Sequence, residues 1–285
     1  MLYPNTFLKT EFSKFLEEQF QTLPTKPALH VIQIGTNEVS RKYVGFKQKL
    51  ALSLGSEVKY WNLSAETSVA EVARIVEQIP NEDGLIYQLP IPKRFESLVD
   101  AVPPHLDVDL LGSGHSLLKE KGILPPTIGA IDLLLKAMLQ GDDFEISTAL
   151  TQQMNLEGTC VGVIGQGKLV GTPVVRYLLQ KNATIVSVNV ATTNPEELIR
   201  RCDIVISAAG KPKLLTKSWL KPDAIVIDAA TTESNNVLVG DVDLERIHPT
   251  NVISTTPKGV GGITVGYLFY NLLRLAESKQ SDFYS

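Results

Sequence analysis

The chain has 285 residues, 44% hydrophobic and 20% charged, which suits two modest domains or one large one. Its formal net charge of −4 and scattered lysines and arginines argue against a nucleic-acid partner, which would need a basic surface. The sequence has neither a signal-peptide pattern nor an uncharged stretch of the roughly 18 residues that span a bilayer, so we expect a cytoplasmic protein with no membrane partner.

Short apolar runs alternate with helical patterns along the chain, which indicates βαβ units and a parallel sheet. The predicted strands cover residues 29–34, 57–61, 84–87, 160–164, 184–188, 203–207, 224–227 and 252–254. The predicted helices cover residues 11–23, 40–54, 69–78, 128–139, 172–180, 195–200 and 265–276. A polar, turn-rich stretch after residue 139 predicts a domain break, with 1–140 and the returning segment 264–285 in one domain and 141–263 in the other.

The helix predicted over 40–54, with Ser40 as its N-cap, carries a lysine on its apolar face. The i, i+4, i+7 and i+11 spacing collects four residues on this face: Tyr43, Lys47, Leu50 and Leu54. Lys49 points elsewhere. An inward lysine snorkels to solvent, pairs with an acid or loses its proton. Spacing alone slightly favours snorkelling; the functional alternative is a desolvated lysine suited to proton transfer.

Polar residues also stand where an open α/β sheet gathers its ligands, at the carboxyl ends of strands. Gln88 directly follows the strand predicted over 84–87, and position alone does not separate a ligand contact from an ordinary loop residue. Asp107 and Asp109 flank one apolar residue, so in an extended segment they face opposite ways, and one of them can face a ligand.

The cysteines and histidines give no pattern of a metal centre. Cys160 and Cys202 each lie beside an apolar run, so we expect two reduced core thiols. The four histidines are dispersed, and none stands in a cluster with carboxylates at ligand spacing. The sequence therefore predicts no metal site.

The strand predicted over 160–164 runs into glycines and then into a helix. Glycines at 165, 167 and 171 would let backbone N–H groups approach a pyrophosphate at the helix N-terminus. The spacing is G-x-G-x-x-x-G rather than G-x-G-x-x-G, but the strand–turn–helix context favours a nicotinamide dinucleotide. The next strand ends near Asn189 without an acid for a ribose 2′-hydroxyl.

A second loop rich in glycine and proline, residues 256–264, directly precedes the last helix. It is either a tight loop or a backbone surface that lies against a flat ligand.

Together these residues resemble the bifunctional methylenetetrahydrofolate dehydrogenase/cyclohydrolase family, in order and along nearly the whole chain. The matching positions include Tyr43, Lys47, Gln88-Leu89-Pro90, Asp107-Val108-Asp109, Gly165, Gly171, Val239-Gly240-Asp241-Val242 and Gly259-Val260-Gly261. The resemblance implies an α/β fold of two domains. Residues 1–140 with 264–285 would form a three-layer αβα catalytic domain that binds folate, and 141–263 a Rossmann-like NAD(P)-binding domain with a parallel sheet.

The resemblance also implies roles for the matched residues. Lys47 would be the general acid/base, Gln88 would tune its protonation, Tyr43 would shape the folate pocket and Asp109 would bind the pterin ring. Pro257, Gly259, Val260 and Gly261 would line the folate site. The dinucleotide, NADP or NAD, would contact Gly165, Gln166, Gly167, Lys168, Gly171, Asn189 and Val190. The substrates would be tetrahydrofolate derivatives, and two copies would form a homodimer through the second domain.

The chain departs from the family at its dinucleotide loop. The family usually has Arg-Ser where this chain has Gln166-Gly167, and often His-Ser where it has Asn189-Val190. Because those lost groups commonly hold the 2′-phosphate of NADP, we expect a weak or inverted NADP preference. Leu110 stands where glycine is usual, and the connection over 142–157 is longer than usual. Two alternatives stay open: an enzyme with cyclohydrolase activity only, and a non-catalytic folate-binding or regulatory homologue.

Overall fold

The computed structural model describes residues 1–111, 123–234, 237–257 and 259–283, and the chain packs as two compact units. One unit comprises Met1–Phe12 and Thr127–Thr264, and the other comprises Ser13–Pro126 and Val265–Ser285. This division assigns 1–12 and 127–140 to the unit with the glycine loop, whereas the sequence-based boundary placed them in the other domain. Where the functional domains divide stays a prediction.

Helices and strands alternate over most of the chain. The helices are α1 (Asn5–Thr22), α2 (Glu38–Ser53), α3 (Val69–Glu77), α4 (Glu96–Asp100), α5 (Pro126–Gln140), α6 (Ile146–Thr151), α7 (Gly171–Leu179), α8 (Pro195–Ile199) and α9 (Val260–Phe283). The strands are β1 (Leu29–Ile34), β2 (Val58–Leu63), β3 (Gly84–Tyr87), β4 (Cys160–Ile164), β5 (Thr184–Val188), β6 (Ile204–Ser207), β7 (Ile225–Asp228), β8 (Thr232–Ser234), β9 (Val237–Val239) and β10 (Val252–Ser254).

The unit that contains Lys47, called here the lysine unit, is built on a parallel three-stranded sheet in the order β2-β1-β3. Every residue of the central strand β1 is buried. Residues Val265–Ser285, which include most of α9, belong to this unit. Asn271 Nδ2 of α9 donates to the backbone oxygens of Val108 at 2.9 Å and Leu124 at 2.8 Å, and Phe269 packs edge-on against Phe20.

The other unit, called here the glycine-loop unit, contains a parallel five-stranded sheet in the order β10-β7-β6-β4-β5. After β4 the chain adds β5 on one side, and then β6, β7 and β10 on the other. The strand order therefore reverses between β4 and β6. In open α/β sheets this reversal is where ligands bind, beyond the carboxyl ends of the strands.

Strand bounds follow the sequence closely, whereas several local elements were not predicted. β1, β3, β4, β5 and β10 begin and end at the predicted residues. α4, α6 and the antiparallel β8–β9 pair were missed, because short helices and hairpins carry too few periodic residues to stand out. The last helix was predicted too short: α9 extends from Val260 to Phe283.

A buried lysine fixes α6, which lies inside the long 142–157 connection. Lys136 of α5 donates from Nζ to the backbone oxygens of Ala149 at 2.6 Å and Gln152 at 2.7 Å, at the end of α6. The same ammonium lies 2.7 Å from Asp132 Oδ2, and Asp132 also accepts the Tyr177 hydroxyl of α7. Because carbonyls at a helix C-terminus lack partners within the helix, Lys136 satisfies them and ties α6 to α5.

The two cysteines are free and lie close together. Cys202 is buried and Cys160 is half-buried, and their sulfur atoms are 3.4 Å apart. Over the described residues, no group of three or more His, Cys, Asp or Glu side chains is arranged to hold a metal ion. None of the helices in the described part of the chain has the length and apolar content needed to cross a membrane.

Candidate active site

The start of α2 is connected to the loop that follows β3. Its N-cap is Asn37, whose side chain accepts from Ser40 N at 2.8 Å, so the prediction of Ser40 as the N-cap is wrong. The helix begins two residues earlier than predicted, because the Asn37 side chain accepts the otherwise unpaired backbone N–H of Ser40. Ser40 Oγ instead donates to the backbone oxygen of Leu89 at 2.9 Å, which holds α2 next to Gln88.

Lys47 faces inward, as its place on the apolar stripe of α2 predicts. The residue is only 8% exposed, whereas Lys49 is exposed. Its Nζ donates to Gln88 Oε1 at 2.9 Å, and Gln88 Nε2 donates to the backbone oxygen of Leu89 at 3.2 Å. The second bond orients the amide so that its oxygen faces the lysine. The buried lysine thus has one neutral side-chain acceptor from the loop after β3.

The electrostatics of Lys47 are coupled to those of Asp109. Burial lowers the pKa of Lys47, and the negative charge of Asp109 partly opposes that shift. Burial raises the pKa of Asp109 to about 6; the charge of Asp107 adds to this shift, and the charge of Lys47 opposes it. Both groups therefore lose part of their tendency to ionise. A lysine in this state can take up and release a proton nearer to neutral pH than an exposed one.

The backbone beside Asp109 adopts a conformation typical of glycine. Leu110, at a position where the resemblance implies glycine, has φ of 53° and is only 4% exposed. A non-glycine residue rarely adopts this left-handed region. Asp107 Oδ1 accepts from Leu110 N at 2.8 Å and, with the burial of the leucine, holds it there. This bond and the burial of Leu110 therefore fix the backbone directly after Asp109.

Tyr43 lies one turn before Lys47 on α2. It is half-buried, its ring packs edge-on against Phe46 with centroids 6.1 Å apart, and burial raises its pKa. A phenol held protonated in this way offers a flat apolar face and a neutral hydroxyl.

The glycine loop after β4 fits a dinucleotide through close backbone packing. Gly165 has φ of 95°, and a Cβ there would lie 2.4 Å from the backbone oxygen of Ala208. A Cβ on Gly171 would lie 1.9 Å from the backbone oxygen of Gly165. Side chains are therefore excluded at both positions, and the chain presents only backbone at Gly165 and Gly171. This bare surface suits a pyrophosphate at a helix N-terminus.

The side chains beside this loop form an exposed, neutral amide cluster, defined here as Gln166, Ser187 and Asn189. Gln166 Nε2 donates to Ser187 Oγ at 3.0 Å, and Asn189 Nδ2 donates to Gln166 Oε1 at 2.7 Å. Thr192, which sequence reasoning missed, accepts from Asn189 N at 3.0 Å in a turn typical of Ser and Thr. The two amides therefore bind each other across the carboxyl ends of β4 and β5.

Three further predicted dinucleotide contacts, Gly167, Lys168 and Val190, are exposed. A Cβ on Gly167 would meet no atom within 4 Å, so packing does not require glycine there. The predicted dinucleotide residues thus lie on the loops after β4 and β5, except Gly171, which is the first residue of α7.

The predicted folate loop, residues 256–264, belongs to the glycine-loop unit, and its residues from Val260 onward are helical and form the start of α9. Thr256 Oγ1 donates to the backbone oxygens of Asp228 at 3.2 Å and Ala230 at 2.8 Å, which ties the loop to the end of β7. Gly259 and Val260 are buried, whereas Pro257 and Gly261 are exposed. Pro257 and Gly261 are themselves uncharged.

Comparison with known proteins gives two family matches along the chain. Residues 6–109 match the catalytic domain of the tetrahydrofolate dehydrogenase/cyclohydrolase family, and residues 145–280 match its NAD(P)-binding domain. The bifunctional protein FolD of Acholeplasma laidlawii is 34% identical over 276 residues, which cover 94% of this chain and 95% of that protein.

Solved structures agree with this assignment. The bifunctional dehydrogenase/cyclohydrolase FolD from Campylobacter jejuni is 25% identical, with a TM-score of 0.84 over 98% of this chain and 99% of that chain. The Trypanosoma brucei FolD, solved with NADP and an inhibitor, is 27% identical, with a TM-score of 0.83 over 98% of each chain. The chain belongs to the tetrahydrofolate dehydrogenase/cyclohydrolase family.

Proposed function

We propose that this chain oxidises methylenetetrahydrofolate to methenyltetrahydrofolate with NAD(P)+ and hydrolyses that product to formyltetrahydrofolate. It would do so as a cytoplasmic enzyme of one-carbon folate metabolism. The observation that carries the proposal is the buried Lys47, bonded to Gln88 and electrostatically coupled to Asp109, in a chain that matches both domains of the family. Buried titratable groups with shifted pKa values cluster at catalytic sites, which favours an enzyme over a protein that only binds folate.

In the oxidation, the methylene carbon between the two folate nitrogens loses a hydride and becomes the methenyl cation. Bound NAD(P)+ supplies the hydride acceptor. The residues that would hold it are the backbone of Gly165 to Gly171 and the amide cluster. Close packing at Gly165 and Gly171 keeps side chains away from the backbone at these two positions. These residues bind and orient; the hydride transfer needs no proton donor from them.

In the hydrolysis, Lys47 carries the proton. Water attacks the methenyl carbon, and the neutral amine of Lys47 takes a proton from it as the C–O bond forms. The ammonium then returns a proton to the ring nitrogen as its bond to that carbon breaks. The hydroxyl group loses its remaining proton to solvent as the C=O bond forms, which leaves the formyl group on the other nitrogen. Burial lowers the pKa of Lys47, so a larger fraction of amine is present near neutral pH than an exposed lysine offers.

Lys47 is assisted by three further residues, Gln88, Tyr43 and Asp109. Gln88 Oε1 accepts from Lys47 Nζ and so directs the amine without adding charge. Tyr43 contributes its flat face to the folate pocket. Asp109 binds the pterin ring by accepting from its N–H groups.

For the dinucleotide, we propose that NAD is used at least as well as NADP. The 2′-phosphate of NADP calls for a cation or several free donors. The amide cluster is neutral, and its amides already bind each other.

We also propose that two copies form a homodimer through the NAD(P)-binding domain, as the family resemblance implies. Light scattering at working concentration tests this directly, and a monomer mass would contradict it.

The experiment that tests the function measures both steps on the purified protein. Methylenetetrahydrofolate is supplied with NAD+ or NADP+, and formation of reduced dinucleotide is followed. Methenyltetrahydrofolate is supplied separately, without dinucleotide, and its loss of absorbance is followed. Activity in both assays supports the proposal. Hydrolysis alone would identify a cyclohydrolase, and inactivity in both with retained folate binding would identify a non-catalytic homologue.

A further inference from the structure

Asp241 is a fully buried carboxylate in the segment that follows β9. Its Oδ2 accepts from Ser207 Oγ at 2.6 Å and from Ala209 N at 2.9 Å, and its Oδ1 accepts from Lys211 N at 2.6 Å. All three donors belong to the end of β6 and the loop 208–211 that follows it. One side chain therefore holds this whole loop, through bonds that the charge of the carboxylate strengthens.

The loop 208–211 borders the place where the strand order reverses. β4 and β6 are neighbours, and the chain leaves them toward opposite edges of the sheet. The loop touches the glycine loop itself: a Cβ on Gly165 would lie 2.4 Å from Ala208 O and 3.1 Å from Ala209 Cα. Because the two backbones are already in contact, a shift of the 208–211 loop would change the wall beside Gly165.

A second buried carboxylate sets the position of Asp241. Asp228, at the end of β7, accepts from Val242 N at 3.0 Å through Oδ2 and from Ala230 N at 3.2 Å through Oδ1. A Cβ on Gly240 would lie 1.9 Å from Asp228 Oδ2, so the chain before Asp241 lies directly on this carboxylate. Burial raises the pKa of Asp228 to about 6, and the charge of Asp241 adds to that shift. Two acids are thus buried side by side despite their repulsion.

We propose that Asp241 is a positioning residue for the dinucleotide site: it holds the loop 208–211 against Gly165, so that the glycine loop and its neighbour keep the shape that accepts NAD(P)+. The proposal rests on the proposed function, because it assigns Asp241 to the dinucleotide step alone. Hydrolysis of methenyltetrahydrofolate uses no dinucleotide and is assigned to Lys47 of the other unit.

The test compares Asp241→Asn with Asp243→Asn. Asparagine keeps one acceptor but turns an N–H₂ group toward donors of the loop. Asp243 is a matched control: it is also buried, but among the described residues it accepts from Glu245 N at 3.3 Å and Arg246 Nε at 2.8 Å, both of its own turn. The dissociation constants of NAD+ and NADP+ are measured by calorimetry, and the hydrolysis rate is measured on the same preparations.

We expect Asp241→Asn to raise the dissociation constant and the KM of the dinucleotide roughly ten- to a hundredfold. Its kcat at saturating dinucleotide should fall much less, and its hydrolysis rate should stay within about twofold, since a general loss of fold would lower both activities together. Asp243→Asn should leave dinucleotide affinity unchanged. Equal affinity in Asp241→Asn and the parent, or equal losses in the two variants, would overturn the proposal.

If Asp241→Asn does not fold, Ser207→Ala tests the proposal instead, because it removes only the hydrogen bond from Ser207 Oγ to Asp241 Oδ2. A rise of a few-fold in the dissociation constant with unchanged hydrolysis supports the proposal, and an unchanged dissociation constant overturns it. Failure of the proposed function is distinguishable, since it would show as absent dinucleotide binding or turnover in the parent.

Discussion

Lys47 Nζ lies 2.9 Å from Gln88 Oε1, and this bond joins helix α2 to the loop after β3. The acceptor is an amide rather than a carboxylate, which matters for the protonation of the lysine. A carboxylate at this distance would stabilise the ammonium and raise the pKa of Lys47. A neutral amide directs the lysine and leaves the lowering by burial largely in place. The bond to Gln88 therefore fixes the position of the Lys47 amine, while burial makes its ammonium form easier to deprotonate.

Replacing this lysine tests its role most directly. We expect Lys47→Met to lower hydrolysis of methenyltetrahydrofolate by about 10²- to 10⁴-fold, the usual contribution of a general acid/base. The methionine fills similar apolar volume, so circular dichroism and the melting temperature should report an intact fold. Lys49→Met is the matched control, because Lys49 lies two residues away and is exposed. Hydrolysis at the parental rate in Lys47→Met would show that the assignment is wrong.

A change of the acceptor should move the pH profile. Gln88→Glu places a carboxylate beside Lys47 and should raise the pKa of the lysine. Because the base must be neutral to accept a proton, the rate rises with pH through that pKa, and the rise should shift to higher pH. At neutral pH the hydrolysis rate should fall about tenfold for each unit of the shift.

Gln88→Met serves as the control for this experiment, since it removes the hydrogen bond without adding charge. The measurement is kcat/KM for hydrolysis between pH 6 and 10. Coincident profiles for the parent and Gln88→Glu would contradict the coupling of the two residues.

A buried carboxylate away from the candidate site should govern acid stability. Asp83 Oδ1 accepts from Ala28 N at 2.7 Å, and its Oδ2 lies 2.9 Å from His30 Nε2 and 3.3 Å from Lys59 Nζ. Burial alone would raise the pKa of Asp83, but the bonds from His30 and Ala28 and the charge of Lys59 bring it below its ordinary value of 3.8.

The sign of the pH effect follows from that shift. Since the folded pKa lies below the unfolded one, the stabilisation is complete above the ordinary value and is lost as pH falls through the folded pKa. We expect Asp83→Asn to destabilise the lysine unit by about 1–3 kcal/mol at pH 7, because buried donors lose their acceptor. Thermal melts from pH 7 to 3 should show this difference shrinking below about pH 4. A difference that is constant across the range would refute the linkage.

The fold was predictable from the sequence to the extent that it depends on contiguous apolar runs. β4 and β5 begin and end at the residues predicted from their apolar runs, and the inward direction of Lys47 followed from helical spacing. The bond from Lys47 to Gln88 crosses 41 positions, so residue spacing could not show it, and only the family resemblance suggested it.

Contacts made by the backbone were the least predictable. The three donors to Asp241 include two backbone N–H groups from a loop about thirty positions away. Because nearly every residue has a backbone N–H group, the sequence does not show which of them will bind a distant carboxylate. The contacts of Lys136 were unpredictable for the same reason, because its two backbone carbonyl acceptors come within reach only when the short helix α6 has formed. Such long-range bonds to the main chain depend on topology rather than on local pattern.

The dinucleotide preference is the sharpest prediction at the amide cluster. Gln166 and Asn189 bind each other and carry no charge, so a 2′-phosphate would gain no charge-assisted bond from them. Losing such a bond typically costs about 1.5–3 kcal/mol, or roughly ten- to a hundredfold in affinity. We therefore expect kcat/KM on methylenetetrahydrofolate to be at least as high with NAD+ as with NADP+.

Introducing a cation at the amide cluster should shift the dinucleotide preference toward NADP+. Gln166→Arg places a guanidinium at the end of β4 and breaks the bond to Asn189 Nδ2, and we expect it to raise kcat/KM for NADP+ roughly ten- to a hundredfold while changing that for NAD+ little. Gln180→Arg is the matched control, because it adds the same charge at the opposite end of α7. A strong NADP+ preference in the parent would contradict the argument. Lys168→Ala would then show whether the exposed cation of the glycine loop supplies the missing charge, since removing it should abolish that preference.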